Sequence, residues 1–193
     1  MQVESQQQRR KRLRLSGFDY SSEGGYFITI VTHGRIPLFG EITNNEMICS
    51  KEGEIARLEW FRTMQVRENV ELFADEFMVM PNHIHGIIWL TDGSSVGVER
   101  RCDFGVSEPS EWYSTPTKNN RPLVLPGSIP AIIRAYKSAV TYAINSVRNT
   151  KGRPVWQRNY FEHIIRDEKD YDNIVEYIYQ NPYNWETDKE NNW

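Results

Sequence analysis

His83 and His85 stand one residue apart inside the stretch Phe77-Met78-Val79-Met80-Pro81-Asn82-His83-Ile84-His85-Gly86-Ile87-Ile88-Trp89-Leu90. The stretch is apolar and β-branched, so it reads as a strand. Side chains alternate faces along a strand, which sets both imidazoles on one side and Ile84 on the other. Two imidazoles so placed can share one metal ion. Near the C-terminus, Tyr177 and Asn181 occupy positions i and i+4 of a helical pattern that Pro182 stops, about 6 Å apart at Cβ. A phenol can attack a phosphodiester while a metal, as a Lewis acid, polarises the phosphate. With an ordinary pKa of about 10, the phenolate is also a fair leaving group, so a phosphotyrosine keeps the bond energy for rejoining strands. Each piece alone has a packing reading: satisfied histidines on a strand, one tyrosine among ten, an asparagine at a helix end. His33 and His163 are read as structural or near substrate, not as ligands. The chemical reading rests on the four residues occurring together and in order.

The elements that must position these groups follow from periodicity. Residues 26–32, introduced by Gly24-Gly25, read as a first strand. Residues 53–66 carry Ile55, Leu58, Phe61 and Met64 at helical spacing. Residues 70–80 read as a second strand and 84–90 as a third. Residues 91–126 hold Pro109, Pro116, Asn119-Asn120 and Pro122 and read as a long inserted polar loop. Ser128 and Pro130 open a helix to Arg148, with Ile129, Ile132, Ile133, Tyr136, Val140 and Ile144 as its apolar face. Residues 160–166 suit a fourth strand. Asp167 can cap a last helix over 169–180, with Tyr171, Ile174 and Ile178 facing the core. The order β-α-β-β-α-β plus a helix predicts an α+β fold: a ferredoxin-like antiparallel sheet, helices on one face, and a C-terminal helix carrying the tyrosine.

A chain of 193 residues with 39% hydrophobic content can bury one core, so one domain over 20–184 is expected, with a leader at 1–19 and a tail at 185–193. A mean hydropathy of -0.63 argues against a membrane span. The N-terminus has no apolar stretch and is not a secretory signal. Cys49 and Cys102 lack metal-type spacing, which suggests a reducing, cytoplasmic setting. The net charge of -3 argues against bulk attraction to nucleic acid, but the charge is segregated. Arg9, Arg10, Lys11, Arg12 and Arg14 form a basic leader. From Gly127 to Tyr160 there is no acid, while Arg134, Lys137, Arg148, Lys151, Arg153 and Arg158 are present. Such a stretch can follow phosphates, and Tyr136, Tyr142, Trp156 and Tyr160 between the charges are candidate stacking surfaces, Tyr136 being the one best read as core.

The chain resembles the REP-associated tyrosine transposases, a branch of the single-tyrosine transposases in the HUH endonuclease superfamily. The resemblance runs from about Tyr20 to Asn184. It is carried by Gly25-Tyr26-Phe27-Ile28-Thr29 with Leu38-Phe39-Gly40, by Met80-Pro81-Asn82-His83-Ile84-His85, by Val155-Trp156-Gln157-Arg158-Asn159-Tyr160 with His163-Ile164-Ile165-Arg166, and by Tyr177-Ile178-Tyr179-Gln180-Asn181-Pro182. It implies that His83, His85 and Asn181 hold Mg²⁺ or Mn²⁺ and that Tyr177 is the nucleophile. It further implies cleavage of single-stranded DNA near a hairpin, with Tyr177 becoming 5′-phosphorylated and a 3′-OH released. A monomer and a homodimer both remain open on this resemblance. Two features depart from the pattern: the acidic last helix, with Asp172 and Glu176, and the length of the loop at 91–126. The rival reading is a non-catalytic hairpin-DNA-binding regulatory protein derived from a transposase. A second rival is a small metal-binding protein unrelated to DNA.

Overall fold

A computed structural model describes residues 18–93, 124–188 and 191. Arg9, Arg10, Lys11, Arg12 and Arg14 of the basic leader, and residues 94–123 of the predicted loop, lie outside the described residues. The elements run β1 (Gly24–Val31), β2 (Gly40–Thr43), β3 (Glu46–Cys49), α1 (Lys51–Gln65), β4 (Val70–Glu71), β5 (Phe77–Met80), β6 (His83–Leu90), α2 (Ile129–Arg148), β7 (Phe161–Ile164) and α3 (Glu168–Gln180).

All the strand pairs are antiparallel. β6 and β1 form the centre, β7 flanks β1, and β4 and β5 share the far side of β6. Counting β4 and β5 as one interrupted strand gives the expected ferredoxin-like order. The single strand predicted over 70–80 is thereby corrected to two short ones. Between the pairs Glu71–Trp89 and Phe77–Gly86 one chain advances six residues and the other three. The surplus loops out as a 3-10 turn at Ala74–Glu76 and tucks Glu76 into the interior.

Alternation along the two central strands divides the core. Tyr26, Ile28, Ile30, Ile84, Ile88 and Leu90 face α1 and α2, with Trp60, Ile132, Ile133, Tyr136 and Val140 among their partners. Phe27 and Ile87 face the other way and meet Ile165, Ile174 and Ile178. α3 therefore covers the sheet face opposite α1 and α2. Gly86 is required for the first layer: a Cβ there would meet Trp60 Cζ2 at 2.5 Å and Phe77 Cδ2 at 2.9 Å.

α3 starts on its predicted cap, and α1 starts at Lys51, two residues before the predicted start, on a Ser50 cap. Ser50 Oγ accepts from Gly53 N, and Asp167 accepts from Asp170 N at 2.8 Å. Ser128 is the residue before α2, but its hydroxyl donates to Leu125 O and does not cap the helix. The predicted apolar face of α2 is the buried one. That of α1 is so only in part: Ile55 and Phe61 pack against the core half-buried, but Gly53, Ala56, Trp60 and Thr63 point furthest inward and Leu58 and Met64 are exposed. The bulky Trp60, stacked on Phe77 at 4.9 Å between ring centres, sets the rotation of that helix. The β2–β3 hairpin, turned by Asn44 and Asn45 at positive φ, was absent from the predicted order.

Candidate active site

His83 and His85 leave β6 on the α3 side, and both are fully buried. Their Nε2 atoms stand 2.8 Å apart. Each ring is held from behind. His83 Nδ1 lies 2.7 Å from Asn82 Oδ1, and His85 Nδ1 lies 2.8 Å from Thr29 Oγ1, the residue directly across β1. The Asn82 amide is oriented by its own Nδ2, which donates to Arg35 O. Its oxygen only accepts, so His83 Nδ1 carries the proton and Nε2 presents a lone pair. Burial pushes the His83 imidazole down to about 4, against the opposing pull of Asp188 and Asn181. Burial, then the neighbouring His83, holds His85 well below the usual histidine range. Both rings are neutral at neutral pH, as metal ligands must be.

α3 lays Tyr177 over this pair. Its ring stands 5.1 Å from that of His85 and edge-on to Phe27 at 6.0 Å. Its oxygen lies 3.4 Å from His85 Nε2. Yet 45% of Tyr177 is exposed, so the phenol is open to an incoming substrate. Asn181 ends the helix in helical geometry and is almost completely buried, not frayed. Neither of its amide atoms has a hydrogen-bond partner, although the group is near enough to favour a charge on His83. Leaving such an amide unsatisfied costs about 1–3 kcal/mol, which calls for a functional explanation.

The residues expected to form a tail return to the site. Trp185 stands 6.0 Å from the His83 ring. A buried Asp188 carboxylate oxygen and one nitrogen each of His83 and His85 all lie within 4.8 Å of one another. Sequence reasoning passed over Asp188 because nothing in its spacing sets it apart from the other acids of the C-terminal stretch. A ligand set of two imidazoles, an amide oxygen and a carboxylate suits a divalent cation of the Mg²⁺ or Mn²⁺ kind. The orphaned Asn181 amide and the paired Nε2 lone pairs fit such an ion. Asp172 and Glu176 are exposed on the outer side of α3, and Glu176 accepts from Gln180.

The cations of the basic stretch differ in what they do within the fold. α2 lies across the sheet from the histidines. Lys137 Nζ donates to Gln157 O at 2.6 Å and also to the Arg158 and Asn159 carbonyls; burial brings its pKa down to about 8. Arg148 Nε pairs with Glu52 at 2.5 Å. Arg134, Lys151, Arg153 and Arg158 are exposed. A groove of about 700 Å³ between α2 and the segment after it is lined by Lys137, Tyr142, Lys151, Arg158 and other residues, none of them acidic. Gln157 N donates to Val31 O, and Val31 pairs with His83, so one residue of the lining lies at the end of β1 where His83 pairs. Of the candidate stacking aromatics, Tyr142 is 77% exposed, whereas Tyr136 and Trp156 are core.

No family model matches the chain. An uncharacterized protein of Haemophilus influenzae is 38% identical over 187 residues, spanning 93% of this chain and 92% of that protein. The chain belongs to the same family as that protein. A second protein of the same organism, named "Putative REP-associated tyrosine transposase", is 57% identical over 28 residues, 14% of this chain and 16% of its own length. A solved structure of a REP-associated tyrosine transposase bound to a REP hairpin superposes with a TM-score of 0.54 at 21% identity, covering 91% of this chain and 77% of that one. The chain has the fold of a REP-associated tyrosine transposase. The resemblance carried by its motifs thus extends to the arrangement of the sheet and helices. Among the described residues no helix is long and apolar enough to cross a membrane.

Proposed function

We propose that the protein is a metal-dependent single-strand DNA endonuclease and strand transferase that acts near hairpins through a 5′-phosphotyrosine. The observation that carries this reading is the convergence of Tyr177, two neutral histidines and the orphaned Asn181 amide on one sheet face. His83, His85 and Asn181 would hold the ion, with Asp188 within reach as a further ligand. When bound, the ion supplies Lewis-acid polarisation of the scissile phosphate. Thr29 and Asn82 fix the two imidazoles so that their lone pairs point at one place. Tyr177 Oη attacks phosphorus, the bond to the 3′ oxygen breaks, that oxygen takes up a proton, and the 5′ phosphate stays on Tyr177. Attack by another 3′-OH on the phosphotyrosine rejoins strands and restores the phenol. In the absence of an ion, His85 Nε2 is the phenol's neighbour.

The DNA reading is supported by the fold neighbour that binds a REP hairpin and by the acid-free groove lined by Lys137, Lys151 and Arg158. Arg9, Arg10, Lys11, Arg12 and Arg14 would add phosphate contacts from outside the described residues.

Hairpin-bearing single-stranded oligonucleotides incubated with Mn²⁺ and run on a denaturing gel test the reading. It predicts a shifted band that EDTA abolishes and Tyr177→Phe lacks. Retarded DNA on a native gel with no denaturation-resistant band would instead favour a non-catalytic hairpin-binding protein.

A further inference from the structure

We infer that Phe161 is a stacking platform for a base next to the scissile phosphate; the inference rests on the single-strand DNA reading above and assigns that substrate a contact.

Phe161 begins β7, the edge strand beside β1. Thr29 pairs directly with Phe161 on one side and with His85 on the other. Residues paired directly across a sheet share a face, so Phe161, Thr29 and His85 form one row on the α3 side. With strands about 4.8 Å apart, the first and last backbone positions of that row are separated by about 10 Å. The rings continue the row. Phe161 stands edge-on to Phe27 at 6.3 Å, Phe27 stacks on His85 at 5.5 Å, and Tyr177 meets Phe27 at a right angle. Phe27 is buried, but Phe161 is 48% exposed. A phenylalanine half in water gains only part of the burial that a core position would give it.

Two surroundings decide what ligand suits that ring. Tyr177 and Phe161 both pack edge-on against Phe27, at 6.0 and 6.3 Å between ring centres, so the two exposed rings are one buried ring apart on the same sheet face. The chain just before Phe161 is the Gln157–Asn159 segment whose carbonyls Lys137 holds and which carries the exposed Arg158 at the groove. An exposed ring on the nucleophile's sheet face, with the exposed Arg158 three residues before it, matches a single strand with one base splayed onto an aromatic face.

The test uses the full chain and a hairpin-bearing single-stranded oligonucleotide with 2-aminopurine placed at successive positions along the unpaired strand. In the wild type, binding quenches the fluorescence at one position beside the cleavage site. Phe161→Ala abolishes that quench and raises KM roughly tenfold or more for cleavage, while Phe161→Trp retains both. Because the side chain is half exposed, the alanine variant is expected to keep the wild-type unfolding midpoint. A quench of equal size in Phe161→Ala, or no quenched position at all, overturns the inference. The binding readout does not need catalysis. A Phe161-dependent quench without any covalent adduct would uphold the platform and sink the transesterase reading; an adduct with no dependence on Phe161 would do the reverse.

Discussion

Asn181 shows how much of this site depends on single polar atoms. A buried amide with neither atom bonded is tolerated in folded proteins only where something else requires it, and here it sits beside two imidazoles whose outer nitrogens are already engaged. The same burial makes a prediction about pH. An exposed histidine titrates near 6.5, and His83 is pushed down to about 4. Between those values the unfolded chain binds a proton that the native protein refuses, so stability is complete above about 6.5 and is lost as pH falls towards 4. For His83 alone the loss amounts to about 3 kcal/mol. Urea unfolding of the metal-free protein at a series of pH values should show a flat midpoint above pH 7 and a steady fall below 6.5, and His83→Gln should flatten that fall. A pH-independent midpoint between 4 and 6.5 would mean that the site is wetter than its burial implies.

At the scale of elements, the legible parts of the sequence were those where one requirement acted alone. The face of α2 and the core positions of α3 follow from a simple stripe, and the histidine strand follows from β-branched residues with an alternation that chemistry marks. Where two requirements competed, the pattern misled. α1 has a plausible apolar stripe through Leu58 and Met64, but the pocket made by Phe77 and Gly86 admits Trp60 and turns the helix to suit it. Residues 70–80 look like one strand because nothing apolar reveals the three-residue detour that carries Glu76 inward, where it accepts from Trp89 Nε1 and Tyr171 Oη at 2.7 Å each. Those bonds tie the sheet to α3, the helix that bears Tyr177. Gly86 is the counterpart on the other face. Gly86→Ala should lower stability by roughly 1–3 kcal/mol through forced displacement of Trp60 and Phe77, measured as a drop in the urea midpoint with an unchanged m-value. An unchanged midpoint would mean that the Trp60 layer repacks freely.

For the whole molecule, the negative sum of charges and the basic segment are reconciled by placement. Asp172 and Glu176 of α3 face outward, and the groove between α2 and the segment after it has no acid in its lining. Two cations of the basic stretch are occupied with the protein itself, however, which composition could not reveal: Lys137 holds a loop, and Arg148 is paired. Arg158→Ala should therefore weaken oligonucleotide binding and reduce the slope of log affinity against log salt by about 1, whereas Arg148→Ala should leave the slope nearly unchanged. Equal effects from the two would show that the groove does not select which cations meet DNA. The tail was equally hidden in the sequence, because Asp188 reaches the histidines only after the chain turns back beyond α3.

The most direct test of the account is to find where the DNA becomes attached. The protein is reacted with a hairpin-bearing oligonucleotide and Mn²⁺, the DNA is trimmed by nuclease, and the peptides are mapped by mass spectrometry. The account predicts a 5′-linked nucleotide remnant on the peptide containing Tyr177, absent with EDTA and absent in Tyr177→Phe. A remnant on the exposed Tyr179 or Tyr183, or on any other residue, would contradict it.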